Sequence, residues 1–128
     1  GGVAGWGRSR LSKEVRVLCR LRHPNITTLL GVVWGETGRY GTLIVMELMD
    51  QGSLYDLLHN PSVPMEPGLA LSLAHDVARG MRFLHSARPP VVHGDLKAAN
   101  VLVDAALRAK VTDFGAMARR WTGSGPAP

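Results

Sequence analysis

Val91 to Gly115 reads VVHGDLKAANVLVDAALRAKVTDFG, and this stretch decides how the rest of the chain is read. It holds a His-x-Asp-x-Lys-x-x-Asn run, His93 to Asn100, and then, after two short apolar segments, Asp113-Phe114-Gly115. Phosphoryl transfer asks a protein mainly to position reactants and neutralise charge, and these residue types suit that task. Asp95 can accept a hydrogen bond from an attacking hydroxyl, and Lys97, two residues on, can reach a transferred phosphate. Asn100 offers a neutral oxygen and Asp113 an anionic one, hard ligands that suit magnesium already carrying phosphate oxygens. The competing reading, a surface loop with scattered charges and a core histidine, has to explain two motifs in the right order by chance.

The residues His93, Asp95, Leu96, Asn100, Asp113, Phe114 and Gly115 resemble the protein kinase pattern H-R-D-L-x-x-x-N followed by D-F-G. One position departs from it. Gly94 stands where most members carry an arginine that pairs with a phosphate on the activation loop, so the resemblance does not extend to that form of control. Lys97 resembles the serine/threonine-directed members, and the resemblance as a whole is to the tyrosine-kinase-like group.

The chain has 128 residues, 45% of them apolar and 20% charged, which is the composition of folded globular material. A whole kinase catalytic domain is roughly twice as long, so the resemblance implies a partial one. No apolar run is long enough to span a bilayer, and Gly1 to Arg10 lack the apolar core of a secretion signal, so a cytoplasmic setting is expected. Cys19 is the only cysteine, which leaves neither an internal disulfide nor a cysteine-rich zinc site. The net charge is +5, with Arg8, Arg10, Lys13, Arg16, Arg20 and Arg22 clustered early, yet aromatics make up only 5%. A nucleic-acid surface would interleave the two, so a solvated face or an acidic protein contact fits better.

Upstream, Gly1 to Arg10 is glycine-rich and irregular, and Arg10 stands where a phosphate-cradling G-x-G-x-x-G begun at Gly5 would need its last glycine. Leu11, Val15 and Leu18, with Val17 and Leu21 beside them, recur at helical spacing behind a Ser12 N-cap, and Pro24 stops the helix. KEVRVLCRLRHPNI resembles the kinase helix whose glutamate, here Glu14, pairs with a strand lysine to hold the nucleotide phosphates. Residues 1–13 hold no Val-Ala-x-Lys strand, and Lys13 cannot substitute, because adjacent helical residues diverge by about 100°. A solvent-facing charge is the other reading of Glu14.

Ile26 to Trp34 and Thr42 to Leu48 read as an antiparallel strand pair joined through GETGRYG. The second strand runs into MELMDQGSLYDLL, which resembles the kinase hinge. On that mapping Met46 guards an inner pocket, the backbone of Glu47 and Met49 bonds an adenine edge, and Ser53 with Asp56 approaches the ribose after a close turn at Gly52. Both methionines are otherwise ordinary core filler. His59 to Gly68, with three prolines, is a loop, and helical periodicity resumes over Leu69, Leu73, Val77, Met81 and Leu84, locally weakened by Gly80. His75 and His85 lack partners at metal-ligand spacing and read as surface or capping residues. Pro89 and Pro90 then force an extended entry into the catalytic stretch.

Val101 to Val103 and Lys110 to Thr112 form a short strand pair around the turn DAALRA, returning Asp113 beside Asn100. By resemblance Leu102 packs under the adenine, and His93, Phe114, Leu29 and Leu18 stack in an apolar column, although all five are also ordinary core residues. Gly115 permits a reversal that aims Asp113, and GAMARRWTGSGPAP begins like an activation loop.

The expected fold is therefore α+β and kinase-like, in part only: a remnant of the N-lobe antiparallel sheet with its helix, the hinge, and the first half of the mainly helical C-lobe. Residues 1–10 form the irregular terminus, 11–119 the partial domain (N-lobe 11–48, C-lobe 49–119), and 120–128 the tail. The implied activity is a protein serine/threonine kinase using ATP and Mg2+ on protein substrates. The alternatives are a pseudokinase or kinase-like regulatory domain that binds nucleotide without transferring it, and an inactive fragment. Without the family's downstream helices, the helix Leu69 to Leu84 would expose apolar surface, which predicts poor solubility or partial disorder rather than a sharp cooperative melt for the isolated chain.

Overall fold

The computed structural model describes residues 16, 18–35 and 43–112. The strands are β1 (Leu29–Val33), β2 (Leu43–Met46), β3 (Val101–Val103) and β4 (Ala109–Val111), and the helices are α1 (Leu54–Leu58) and α2 (Pro67–Ser86). A single 3-10 turn, Ala98–Asn100, leads into β3. Small antiparallel sheets and helices share the chain, as an α+β reading requires. Of the helix expected over Leu11 to Leu21, Arg16 and Leu18 are helical and the stretch before Arg16 lies outside the described residues, as does most of the turn GETGRYG.

β1 pairs with β2 and β3 with β4, each antiparallel, in two separate two-stranded sheets. The first strand is shorter than its apolar pattern because its leading residues pair elsewhere. Val111 donates its N–H to Asn25 and accepts from Thr27, and Ile26 forms a parallel bridge with Val111. The segment before β1 thus seams the two sheets together along β4. In the other hairpin the second strand begins one residue earlier than its expected start at Lys110. The turn is tightened by Asp104, whose Oδ1 accepts from the N–H groups of Ala106 and Arg108 at 2.9 Å each.

Helix α2 starts two residues before Leu69, at Pro67, where the sequence suggests loop. Proline suits a first helical turn, whose N–H groups have no intrahelical partner, and its fixed φ is already helical. The buried stripe of α2 is Leu73, Asp76, Gly80 and Leu84. Leu84 joins Leu18, Ile26, Leu29, Val91 and Val111 in one core cluster, while Leu73 joins Leu57, Val101, Val103 and Ala109 in another. α2 and β4 each supply a residue to both clusters, so they form the spine that carries the stretch from Val91 to Thr112.

Gly80 is where that spine is tightest. A Cβ there would stand 2.6 Å from the Asn25 carbonyl oxygen and 3.3 Å from side-chain atoms of Ile26 and Val111. Gly80→Ala is therefore expected to destabilise the domain by about 1–3 kcal/mol despite alanine's better helix propensity. Chemical denaturation checks this, and a raised midpoint would mean that propensity wins over the clash.

All four side chains of β2 are exposed, and Leu30, Leu48 and Leu71 are 62%, 84% and 73% exposed.

Candidate functional site

The entry to the site is fixed by backbone. Val91 N–H caps α2 by donating to the Leu84 carbonyl, and Val91 itself is buried. His93, 1% exposed, is held from both ring nitrogens. Nε2 donates to the Thr112 carbonyl, and Nδ1 accepts from the Asp95 N–H at 3.2 Å, which sets a single neutral tautomer. The chain passes from His93 to Asp95 through Gly94 at φ +79°, a conformation that glycine takes without steric cost. The glycine that departs from the family pattern thus fits the turn it occupies.

Beyond Gly94 the side chains converge. Lys97 Nζ lies 3.4 Å from Asp95 Oδ2. The 3-10 turn, closed by Asn100 N–H on the Lys97 carbonyl, brings Asn100 back so that its amide donates to the Asp95 carbonyl at 2.9 Å and approaches Oδ2 at 3.4 Å. Asp95 and Lys97 keep about half of their side-chain surface exposed, at 50% and 58%, so the cluster is open to an incoming group. Thr112 N–H bonds the Asn100 carbonyl, which ties the end of β4 to the same cluster. Asp113, Phe114 and Glu14 lie outside the described residues.

The expected hinge residues follow β2. Met46 closes that strand, and its Sδ accepts from the Thr112 hydroxyl at 3.9 Å. Glu47 N–H bonds the Thr28 carbonyl, and Met49, 8% exposed, accepts from Gly52 N–H across a turn in which Gly52 has φ +70°. Among the described residues the Glu47 carbonyl and the Met49 N–H make no hydrogen bond, leaving an acceptor and a donor two residues apart. Ser53 N-caps α1, accepting from Asp56 N–H at 3.1 Å, and keeps its own hydroxyl proton to donate. Leu102 is half-buried on β3 and bridges to Ser53, so Ser53 and Leu102 flank the same crossing of strand and helix. Leu18 and Leu29 do share one core cluster, with His93 buried but held by polar contacts. His75 and His85 are exposed on α2.

Two ion pairs escape a reading of the sequence. Lys110 Nζ meets both carboxylate oxygens of Glu47, at 2.9 and 3.1 Å, and Glu47 Oε1 also accepts from Thr28 N–H at 2.8 Å. Burial alone would raise the Glu47 carboxyl, but the Thr28 N–H and the Lys110 ammonium outweigh it and hold its pKa below the ordinary value. Asp76, 2% exposed, receives Arg108 through two bonds and the Ala109 N–H through a third. The signal for Asp76 was present: a carboxylate on the apolar stripe of a helix needs a partner. Nothing local points to Lys110, which reads as the outward residue of a short strand.

A family model described as protein tyrosine and serine/threonine kinase matches residues 6–124. The chain belongs to the protein kinase family. Its kinase relatives are of the tyrosine-kinase-like, serine/threonine-directed kind. It is 47% identical over 107 residues to the probable serine/threonine-protein kinase drkD of Dictyostelium discoideum, covering 84% of this chain and 8% of that protein. Over 105 residues it is 46% identical to the serine/threonine-protein kinase CTR1 of Arabidopsis thaliana, covering 80% of this chain and 12% of the relative. With the receptor-interacting serine/threonine-protein kinase 3 of Rattus norvegicus the identity is 43% over 110 residues, 83% of this chain and 22% of the relative. The kinase chain thus spans under a quarter of the length of each of these relatives. Kinases of this family use ATP and Mg2+. Among the described residues no helix of this kinase chain is long and apolar enough to cross a membrane.

Proposed function

We propose that the chain is the central part of a protein serine/threonine kinase domain that transfers the γ-phosphate of ATP to protein hydroxyls. The observation that carries this reading is the convergence of Asp95, Lys97 and Asn100 on one open surface, with Thr112 bonded to the same cluster. Asp95 orients the substrate hydroxyl and accepts its proton, and Lys97 steadies the phosphate in transit. Asn100 and Asp113 are the residues that would hold Mg2+, which when bound supplies positive charge against the phosphate oxygens. The donor set suits a hard cation, because it presents amide and carboxylate oxygens and no thiolate or imidazole.

The nucleotide base would take the Glu47 carbonyl and Met49 N–H, which make no hydrogen bond among the described residues, with Leu102 beneath it, Met46 behind it and Ser53 near the ribose. Glu14 would reach the phosphates from the helix before Pro24. On this reading residues 11–48 are the N-lobe part and 49–119 the C-lobe part, within the span 6–124 that the family model matches. The setting is cytoplasmic, the partner a protein substrate, and no nucleic acid is involved.

Nucleotide binding by the full-length protein, measured with and without magnesium, tests the proposal. Tight, metal-dependent binding is the expected result. Binding that ignores the metal would favour a regulatory nucleotide-binding domain, and no binding would mark the site as inactive.

A further inference from the structure

We infer that Glu47 and Lys110 are positioning residues, an ion pair that holds the base-binding backbone at a fixed distance from the phosphate end of the site. The inference deepens the kinase reading and rests on it. Glu47 is knotted into three elements at once. Its N–H and Oε1 embrace the backbone of Thr28, ahead of β1, while both carboxylate oxygens take Lys110 on β4. Among the described residues its own carbonyl makes no hydrogen bond, nor does the Met49 N–H two residues later.

Lys110 continues the frame toward the other end. The residues after it are pinned one by one: Val111 N–H to the Asn25 carbonyl, Thr112 N–H to the Asn100 carbonyl, and the Thr112 carbonyl to His93, whose other nitrogen holds Asp95 N–H. The path from the Glu47 carboxylate to Asp95 thus runs through the Lys110 side chain, the backbone of residues 110–112 and the His93 imidazole, joined by hydrogen bonds. The two sheets share no continuous ladder, and apart from the bonds of residues 25–27 to β4 and the long Thr112 to Met46 contact, this pair is what joins the end of β2 to β4 among the described residues.

The pair is also placed to be worth more than a surface contact. The side chains are 16% and 27% exposed, Lys110 and Glu47 respectively, so water screens them only in part. Loss of either charge would leave the other half-buried and unpaired, and the Thr28 backbone would lose its acceptor if Glu47 were removed. A shift at this point moves the base relative to the phosphates, and that changes nucleotide affinity more than the chemistry at Asp95.

The test uses the full-length protein and reads the KM for ATP, kcat and the melting temperature together. Glu47→Gln and Lys110→Met are each expected to raise KM by about tenfold, with kcat within about threefold. Lys110→Arg should stay near wild type, and the charge-swapped Glu47→Lys/Lys110→Glu protein should recover most of the lost affinity. Unchanged KM in the single variants overturns the inference. So does an affinity loss that follows the melting temperature and is not relieved by the swap, because that is the signature of a merely structural contact. A wild-type protein that binds no ATP with magnesium overturns the kinase reading itself, and the inference with it.

Discussion

Asp95→Asn in the full-length protein is expected to lower phosphoryl transfer by on the order of 10²–10⁴-fold, with nucleotide affinity little changed. The substitution keeps size and shape, and the Asp95 N–H bond to His93 Nδ1 and the bond from Asn100 to the Asp95 carbonyl are made by backbone atoms that the change does not touch. What it removes is the anionic oxygen that, on the proposed function, takes the proton of an incoming hydroxyl. The contact with Lys97 is between half-exposed side chains, so its loss should leave the melting temperature where it was. Rate falling while fold and nucleotide binding hold is therefore the expected pattern, measured by phosphate incorporation, calorimetric binding and thermal melting on one preparation. An Asp95→Asn protein that works at the wild-type rate would remove Asp95 from the chemistry.

That cluster was legible because it is local. Asp95, Lys97 and Asn100 lie within five residues of one another, and a glycine followed by one helical turn suffices to bring them together. α2 was legible for a similar reason, since Leu69, Leu73, Val77 and Leu84 repeat at the helical period, and only its start was misjudged, because a proline marks a break inside a helix but a beginning at its first turn. The strands were harder. Asn25 and Ala109 are 84 residues apart in sequence yet bonded, and that seam diverts the approach to β1 toward β4. Glu47 and Lys110 are separated by 63 residues, and each looks locally like a solvated charge. Long-range pairing is decided by how the elements pack, and no period or cap in either segment encodes it. The proposed hinge rests on resemblance alone, because main-chain recognition would leave little trace in side chains.

Asp76→Ala is expected to destabilise the domain by about 3 kcal/mol at neutral pH, the largest single loss of stability among the positions considered. The carboxylate sits on the packed face of α2, 2% exposed, and gathers the Arg108 guanidinium at 2.8 and 3.1 Å and the Ala109 N–H at 3.0 Å. Burial by itself would raise its pKa, but the Ala109 N–H, the Arg108 hydrogen bonds and charge, and the Asn25 side chain together hold it below the ordinary value. Removing it strands a buried N–H on β4 and leaves a cavity at the helix–strand seam. Arg108→Ala should cost less, about 1 kcal/mol, because the guanidinium is 48% exposed and Asp76 would keep its other partners. The pH dependence separates charge from packing. A carboxyl whose pKa is lowered by folding stabilises the fold fully above the unfolded value, and that contribution fades as pH falls through it toward the lowered folded value. The gap between wild type and Asp76→Ala in denaturant melts should therefore be constant near neutrality and narrow below about pH 4, leaving only the cavity's share. A gap that stays the same down to acid pH would mean that Asp76 acts by filling space, and that its ion pair with Arg108 adds nothing.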